Sequence, residues 1–206
     1  MATAIPSIAC LGVIGRNNNP LHITIFPSYD PASNTRAPLR TPLQFSLLLS
    51  STLDIFETRA RRAGAAPTAG APTAAAATTT PTPNLTGDFG LLHAVDERLA
   101  AYGFETNTGV KFVAVVDMRG RVAGSSAAGV VRGGVGLRDT ELRVVFRAMQ
   151  TAYVRLLQNP FYDPDEHAPL VLPLGGGVGG KRITSRKFAD EMRRIGEGWA
   201  PGLMSL

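Results

Sequence analysis

The sequence predicts an α/β (α+β) fold: a five-stranded, largely antiparallel β-sheet with helices on both faces. Two segments, 7–15 and 110–117, are apolar at nearly every position, as is typical of central strands covered on both sides. The elements read from the sequence follow the order two strands, one helix, three strands, two helices, which suits a sheet between helical layers. With 206 residues, the chain is long enough to build one hydrophobic core.

The first half of the chain predicts a hairpin followed by a helix. Strict alternation gives the first strand two apolar faces: Ile8, Cys10 and Ile14 on one, Ala9, Leu11 and Val13 on the other. The second strand, 21–26, alternates apolar with polar residues, which indicates a sheet edge. Thr41 and Pro42 are a typical N-cap and first residue for a helix that ends near residue 62. Its apolar stripe consists of Phe45, Leu48, Leu49, Thr52, Ile55 and Phe56.

The second half predicts strands at 89–95, 99–106 and 110–117 and helices at 139–158 and 185–195. Asn159-Pro160 is a helix stop signal, and the chain after residue 196 is predicted to be loose. Low-complexity segments rich in Ala, Gly, Pro, Thr and Ser cannot bury enough apolar surface to offset the entropy of ordering. They are therefore interpreted as insertions in a single domain spanning 5–199, at 63–86, 119–136 and 166–182.

Composition excludes several classes of function. The net charge of +5 permits contact with acidic partners, but no zinc-finger spacing or RNA-binding aromatic motif accompanies it, so no nucleic acid is expected. Because Cys10 is the single cysteine, the sequence excludes an internal disulfide and a cysteine-based zinc site. His22, His93 and His167 are isolated, so no catalytic residue, metal or cofactor is predicted. No apolar run approaches the ~20 residues of a membrane span, and a cytoplasmic protein is expected.

The segment 175–181 carries the strongest alternative, a nucleotide-binding enzyme. It meets the spacing of a phosphate-binding loop as far as Lys181. However, Arg182 stands where that motif needs Ser or Thr to bind magnesium, and no strand–loop–helix succession surrounds it. A glycine-rich insertion is therefore the favoured interpretation.

Three stretches of the sequence are distinctive: the hairpin sequence 102–117, the helix opening Leu137-Arg-Asp-Thr-Glu141, and Asn159-Pro-Phe-Tyr162. Together with the helical segment 52–56, they resemble the sedlin family of subunits of the TRAPP vesicle-tethering complex. Within this family, the amino-acid sequence of residues 102–117 is most similar to that of the subunit 2-like branch. The resemblance implies a longin-like (profilin-like) fold with strand order 2-1-5-4-3, one helix on one face and two on the other. The insertions exceed the compact family pattern and suggest a fungal version.

The resemblance also implies a non-catalytic role. Family members are subunits of TRAPP, which promotes nucleotide exchange on Rab GTPases in endoplasmic-reticulum-to-Golgi and intra-Golgi transport. The expected partners are other TRAPP core subunits and a large TRAPP II-specific subunit, with Rab GTPases and the Golgi and endoplasmic-reticulum membranes reached only through the complex. By this resemblance, Asp54 matches an aspartate at which partner subunits of the family make contact, whereas its place beside the apolar stripe alone fits a solvated residue equally well. Phe161 and Tyr162 are further interface candidates, expected to pack on the domain. A longin domain regulating a membrane-fusion protein is the remaining alternative.

Overall fold

The computed structural model describes residues 4–30, 34–64, 87–122, 137, 139–162 and 182–203. Within them the elements follow the predicted order, with one additional short hairpin. In chain order they are β1 (Ala4–Ile14), β2 (Pro20–Ile25), β3 (Ser28–Asp30), β4 (Thr35–Ala37), α1 (Pro42–Gly64), β5 (Asp88–Ala94), β6 (Leu99–Glu105), β7 (Lys111–Val122), α2 (Asp139–Leu157) and α3 (Arg186–Gly198).

The main sheet has the order β2-β1-β7-β6-β5, and every neighbouring pair is antiparallel. When its five strands alone are numbered along the chain, this is the expected order 2-1-5-4-3. The two segments predicted to be central do lie in the middle, where Leu11 pairs with Ala114 and Val13 with Phe112. Both strands are buried on both faces, which explains why they lack polar positions.

The predicted alternation of β1 is wrong at its start. Ile8 packs in the same core as Leu11 and Val13, whereas Ala9 packs with Cys10 and Ile14. The register against β7 shifts between Ile8 and Cys10. A bulge of this kind places an extra residue in one strand and exchanges the faces on either side of it. The alternating pattern therefore holds after the bulge and is inverted before it.

Helices cover the two faces of the sheet unequally, as the family fold implies. Together with the inner face of α1, one sheet face forms a core that includes Phe45, Leu49, Phe56 and Val113. On the opposite face, α2 and α3 form a second core that includes Phe112 and Met149. The arrangement confirms one helix on one face and two on the other.

Three elements, β1, β7 and α3, extend further along the chain than predicted. β1 continues through Pro6, where the register shifts because proline has no N–H for the ladder. Ile5 pairs with Arg121, so β7 reaches Val122, and the loop placed at 119–136 starts too early. α3 does not end at 195 but at Gly198, and Trp199 behind it is fully buried, so the expected loose tail is wrong there.

The insertion boundaries shift in the same way. α1 ends at Gly64, two residues inside the predicted insertion at 63–86. Glycine is common at helix ends. Most of 63–86, 119–136 and 166–182 lies outside the described residues.

Candidate partner-binding surfaces

The outward side of α1 carries an unusual apolar pair. Leu43 and Leu47 are 70% and 62% exposed, although they occupy successive turns of a well-formed helix. Ser50 and Asp54 follow at helical spacing, and both are exposed. These four residues are called the α1 outer stripe below. Two leucines beside a carboxylate give an apolar patch with a charged rim, a common composition for protein interfaces.

The N-terminus of α1 is fixed by a capping box that the sequence predicted in part. The Thr41 hydroxyl accepts a hydrogen bond from the Gln44 amide at 3.3 Å, and the Thr41 amide donates to the Gln44 side chain at 3.0 Å. Phe45 and Leu49 are buried beneath the helix. Since those two residues set the inward side, Leu43 and Leu47 point away from the sheet.

The turn at 159–162 separates two side chains that were expected to behave alike. The Asn159 carbonyl accepts from the Tyr162 amide at 3.0 Å, and the Asn159 side chain accepts from the Phe161 amide at 3.2 Å. Tyr162 packs against the α2–α3 core, as expected. Phe161 does not pack on the domain: it is 94% exposed, because the turn directs consecutive side chains apart.

Tyr153 on α2 connects this turn to the aromatic part of the core. Burial raises the pKa of the Tyr153 hydroxyl, while its hydrogen bond with Tyr162 acts to lower that pKa. The Tyr153 ring also meets Phe112 edge to face, with 6.0 Å between ring centroids. Tyr162 is thus anchored from the side opposite to Phe161, which leaves the phenylalanine free to meet another molecule.

A groove of about 640 Å³ runs between α2 and the turn that joins β6 to β7. It is called the α2 groove below. Its floor contains Phe104, Phe146 and Tyr153; its walls contain Arg143, Arg147, Val154 and Leu157 on α2 and Asn107 in the turn. Sequence reasoning missed this groove and the two exposed leucines of α1. The available signal was an apolar residue outside the buried stripe of the helix, namely Leu43 and Leu47 on α1 and Val154 on α2; Leu157, expected within the stripe of α2, is 40% exposed.

A charged pair lies at the end of the sheet on the α1 side. Asp117 is fully buried and accepts from Arg98 at 3.1 and 2.8 Å and from the Arg119 amide at 2.9 Å. The hydrogen bond with Asp117 raises the pKa of Arg98. Arg98 also donates to the Tyr29 carbonyl at 3.2 Å. The pair therefore fastens the hairpin of β3 and β4 to the sheet, and its geometry is that of a structural clamp.

The described residues contain no group of three or more His, Cys, Asp or Glu side chains that could hold a metal ion. His22 is partly buried against Phe188, with 5.2 Å between ring centroids, and His93 is exposed. Cys10 is buried, and burial raises the pKa of its thiol. The segment 175–181 lies outside the described residues. Among the helices that the structure describes, none is both long and apolar enough to cross a membrane.

Comparison with known proteins decides the family. The family model described as Sedlin matches residues 13–197, which is most of the chain. The chain belongs to the sedlin family. This sedlin-family chain is similar to proteins named "Trafficking protein particle complex subunit 2-like protein". The mouse (Mus musculus) protein is 27% identical over 183 residues, covering 87% of this chain and 89% of the relative.

Relatives from other organisms also align over most of their own length. The Dictyostelium discoideum protein of the same name is 24% identical over 192 residues, covering 91% of this sedlin-family chain and 95% of the relative. The Xenopus tropicalis protein is 26% identical over 157 residues, covering 76% and 84%. The alignments cover nearly the whole relatives, so the likeness concerns the complete fold rather than one motif.

Proposed function

We propose that this chain is a non-catalytic subunit of the TRAPP vesicle-tethering complex, acting in vesicle-mediated transport. Membership of the sedlin family and similarity to proteins named as subunits of a trafficking protein particle complex support the proposal. In finer terms, the subunit helps to assemble or stabilise TRAPP II and supports nucleotide exchange on Rab GTPases. It acts from the cytoplasm, at Golgi and endoplasmic-reticulum membranes, in endoplasmic-reticulum-to-Golgi and intra-Golgi transport.

The α1 outer stripe is the observation that carries this proposal. Leu43 and Leu47 are too exposed to contribute much to the core, so their apolar character is better explained by a partner that covers them. Asp54 lies about 10 Å further along the helix and supplies a charged rim. The proposed contact is with another TRAPP core subunit. Because binding energy concentrates in a few central side chains, the two leucines are expected to dominate it.

Phe161 is the candidate for a second contact with a TRAPP subunit, such as the large TRAPP II-specific one. Its ring is almost fully exposed on a turn held by two hydrogen bonds. A rigid aromatic anchor loses little conformational entropy on binding. Tyr162 is proposed to support this contact by holding the turn against the domain.

Size-exclusion chromatography with purified TRAPP core subunits tests the proposal. The full chain should co-elute with at least one core subunit. Leu47→Asp should abolish co-elution because it buries a charge in the proposed interface, and Asp54→Lys should weaken it. Leu203→Asp is the matched control, since Leu203 is also exposed and lies outside the α1 outer stripe. If the unaltered chain elutes alone beside every core subunit, the proposed function is wrong.

The finer role and the non-catalytic assignment need separate measurements. Release of a fluorescent guanine nucleotide from a Rab GTPase should be slower with TRAPP assembled without this chain. Equal rates would contradict the supporting role. Calorimetric titration of the isolated chain with ATP and GTP should show no binding. Saturable binding that is lost on Lys181→Ala would instead favour the nucleotide-binding enzyme.

A further inference from the structure

The α2 groove has an apolar floor built from stacked aromatic rings. Phe104 stacks on Phe146 with 5.9 Å between ring centroids and on Phe112 with 6.3 Å. Phe146 and Tyr153 are buried, and Phe104 is partly buried in the same core. The floor is therefore fixed by the packing of the domain and does not need to form when a ligand arrives.

The walls of the α2 groove differ in character. Val154 and Leu157 are 44% and 40% exposed and form an apolar lip. Arg143 and Arg147 lie one helical turn apart on the same wall, and no described residue forms an ion pair or hydrogen bond with the Arg147 guanidinium. The one carboxylate in the lining, Glu105, lies 3.5 Å from the Lys111 ammonium group. At Arg147 the groove thus offers positive charge beside apolar surface.

The dimensions and polar groups of the groove fit an extended peptide. From Arg143 to Leu157 the lining follows about 21 Å of α2. That length equals about six residues of extended chain. The side-chain amides of Asn107 and Gln150 also line the groove. They can bond the carbonyl and N–H groups of a peptide, which an acyl chain lacks.

We infer that the α2 groove binds a short acidic segment of a partner protein, in which leucine or aromatic side chains alternate with aspartate or glutamate. The apolar side chains pack on the aromatic floor and the Val154–Leu157 lip, and a carboxylate of the segment pairs with Arg147. The inference rests on the proposed function only in taking the chain to work by binding proteins. The groove contacts the core formed with α2 and α3, on the opposite side of the sheet from α1. One molecule can therefore hold two partners at once.

A peptide titration with the full-length chain tests this inference. The probe is a fluorescein-labelled six-residue peptide in which leucine and phenylalanine alternate with glutamate, followed by fluorescence anisotropy. Saturable binding is expected, and the same peptide with lysine in place of glutamate should not bind. Arg147→Glu and Leu157→Asp should each weaken binding by about tenfold or more. Leu203→Asp is again the matched control and should leave the titration unchanged.

Both groove positions are exposed, so circular dichroism should show that the variants remain folded. Absence of binding by the acidic peptide, equal binding of the lysine peptide, or identical affinity of both variants and the unaltered chain would overturn the inference. So would sedimentation of the chain with phosphatidylserine vesicles that Arg147→Glu abolishes while peptide binding is absent, since the groove would then recognise a lipid. No TRAPP subunit enters this titration, so its failure leaves the co-elution result intact, and the reverse also holds.

Discussion

The two faces of the sheet are closed by different means. Among the described residues, the core with α2 and α3 contains 23 buried apolar side chains, while the core with α1 contains 12. The single helix α1 reaches across its face from β2 to β5, and beside it Arg98 and Asp117 fasten the hairpin of β3 and β4 to the sheet. Two helices therefore pack on one face, whereas one helix with a polar clamp beside it packs on the other. The face with the single helix is also the one that bears the exposed leucines of α1, on the outer side of that helix.

The largest effect is expected from removing Trp199, which closes the α2–α3 face. Trp199 is fully buried, and its indole N–H donates to the Glu141 carbonyl at 3.3 Å. Trp199→Ala should lower the free energy of unfolding by about 3–5 kcal/mol, because a large cavity forms and a carbonyl loses its donor. Urea unfolding followed by circular dichroism measures this, since the chain has no other tryptophan for fluorescence. A loss below about 1 kcal/mol would show that Trp199 contributes little to this core.

A smaller loss of stability is expected at the clamp formed by Arg98 and Asp117, and its size should depend on which of the two residues is replaced. The Arg98 side chain is 26% exposed, whereas that of Asp117 is fully buried. Arg98→Met leaves a buried carboxylate without its cation and should cost about 3 kcal/mol. Asp117→Ala leaves an arginine that can reach water and should cost only about 1–2 kcal/mol. Unfolding free energies of both single variants and the double variant give the coupling.

The outcome of this cycle separates a clamp from a passive pair. A double variant that is as stable as Asp117→Ala alone, or more stable, would fit a clamp in which the unpaired carboxylate causes most of the loss. Strictly additive losses would show that Arg98 and Asp117 stabilise the fold independently, and the contrast drawn between the two faces would then fail.

The sequence predicted the parts of the fold that depend on local pattern. The apolar stripe of α1, its Thr41 cap and the central position of β1 all follow from residue spacing and are found in the structure. The bulge between Ile8 and Cys10 could not be predicted, because it depends on how β1 pairs with a strand about a hundred residues away.

Features built by distant contacts were missed for the same reason. The hairpin of β3 and β4 has two strands of three residues each without apolar alternation, and Arg98 holds it from another part of the chain. The α2 groove combines Phe104 with Leu157, which no spacing rule connects. For the interface candidates, the pattern identified Phe161 but not its exposure, which depends on the hydrogen bonds of its turn.

The smallest expected effect concerns the edge where α3 meets β2. His22 packs edge to face on Phe188, lies 2.8 Å from the Thr24 hydroxyl, and has its pKa lowered by burial. The unfolded chain then binds a proton at this imidazole more readily than the folded chain does. The contribution of His22 to stability is therefore complete above its ordinary pKa of about 6.5 and is lost as the pH falls from there through the lowered pKa of the folded chain. His22→Gln should flatten this part of the pH dependence of the melting temperature between about pH 7.5 and pH 5. His93→Gln, at an exposed position of β5, is the matched control and should leave the profile unchanged. If both variants retain the full slope, the charge of His22 does not affect the contact of α3 with the β2 edge.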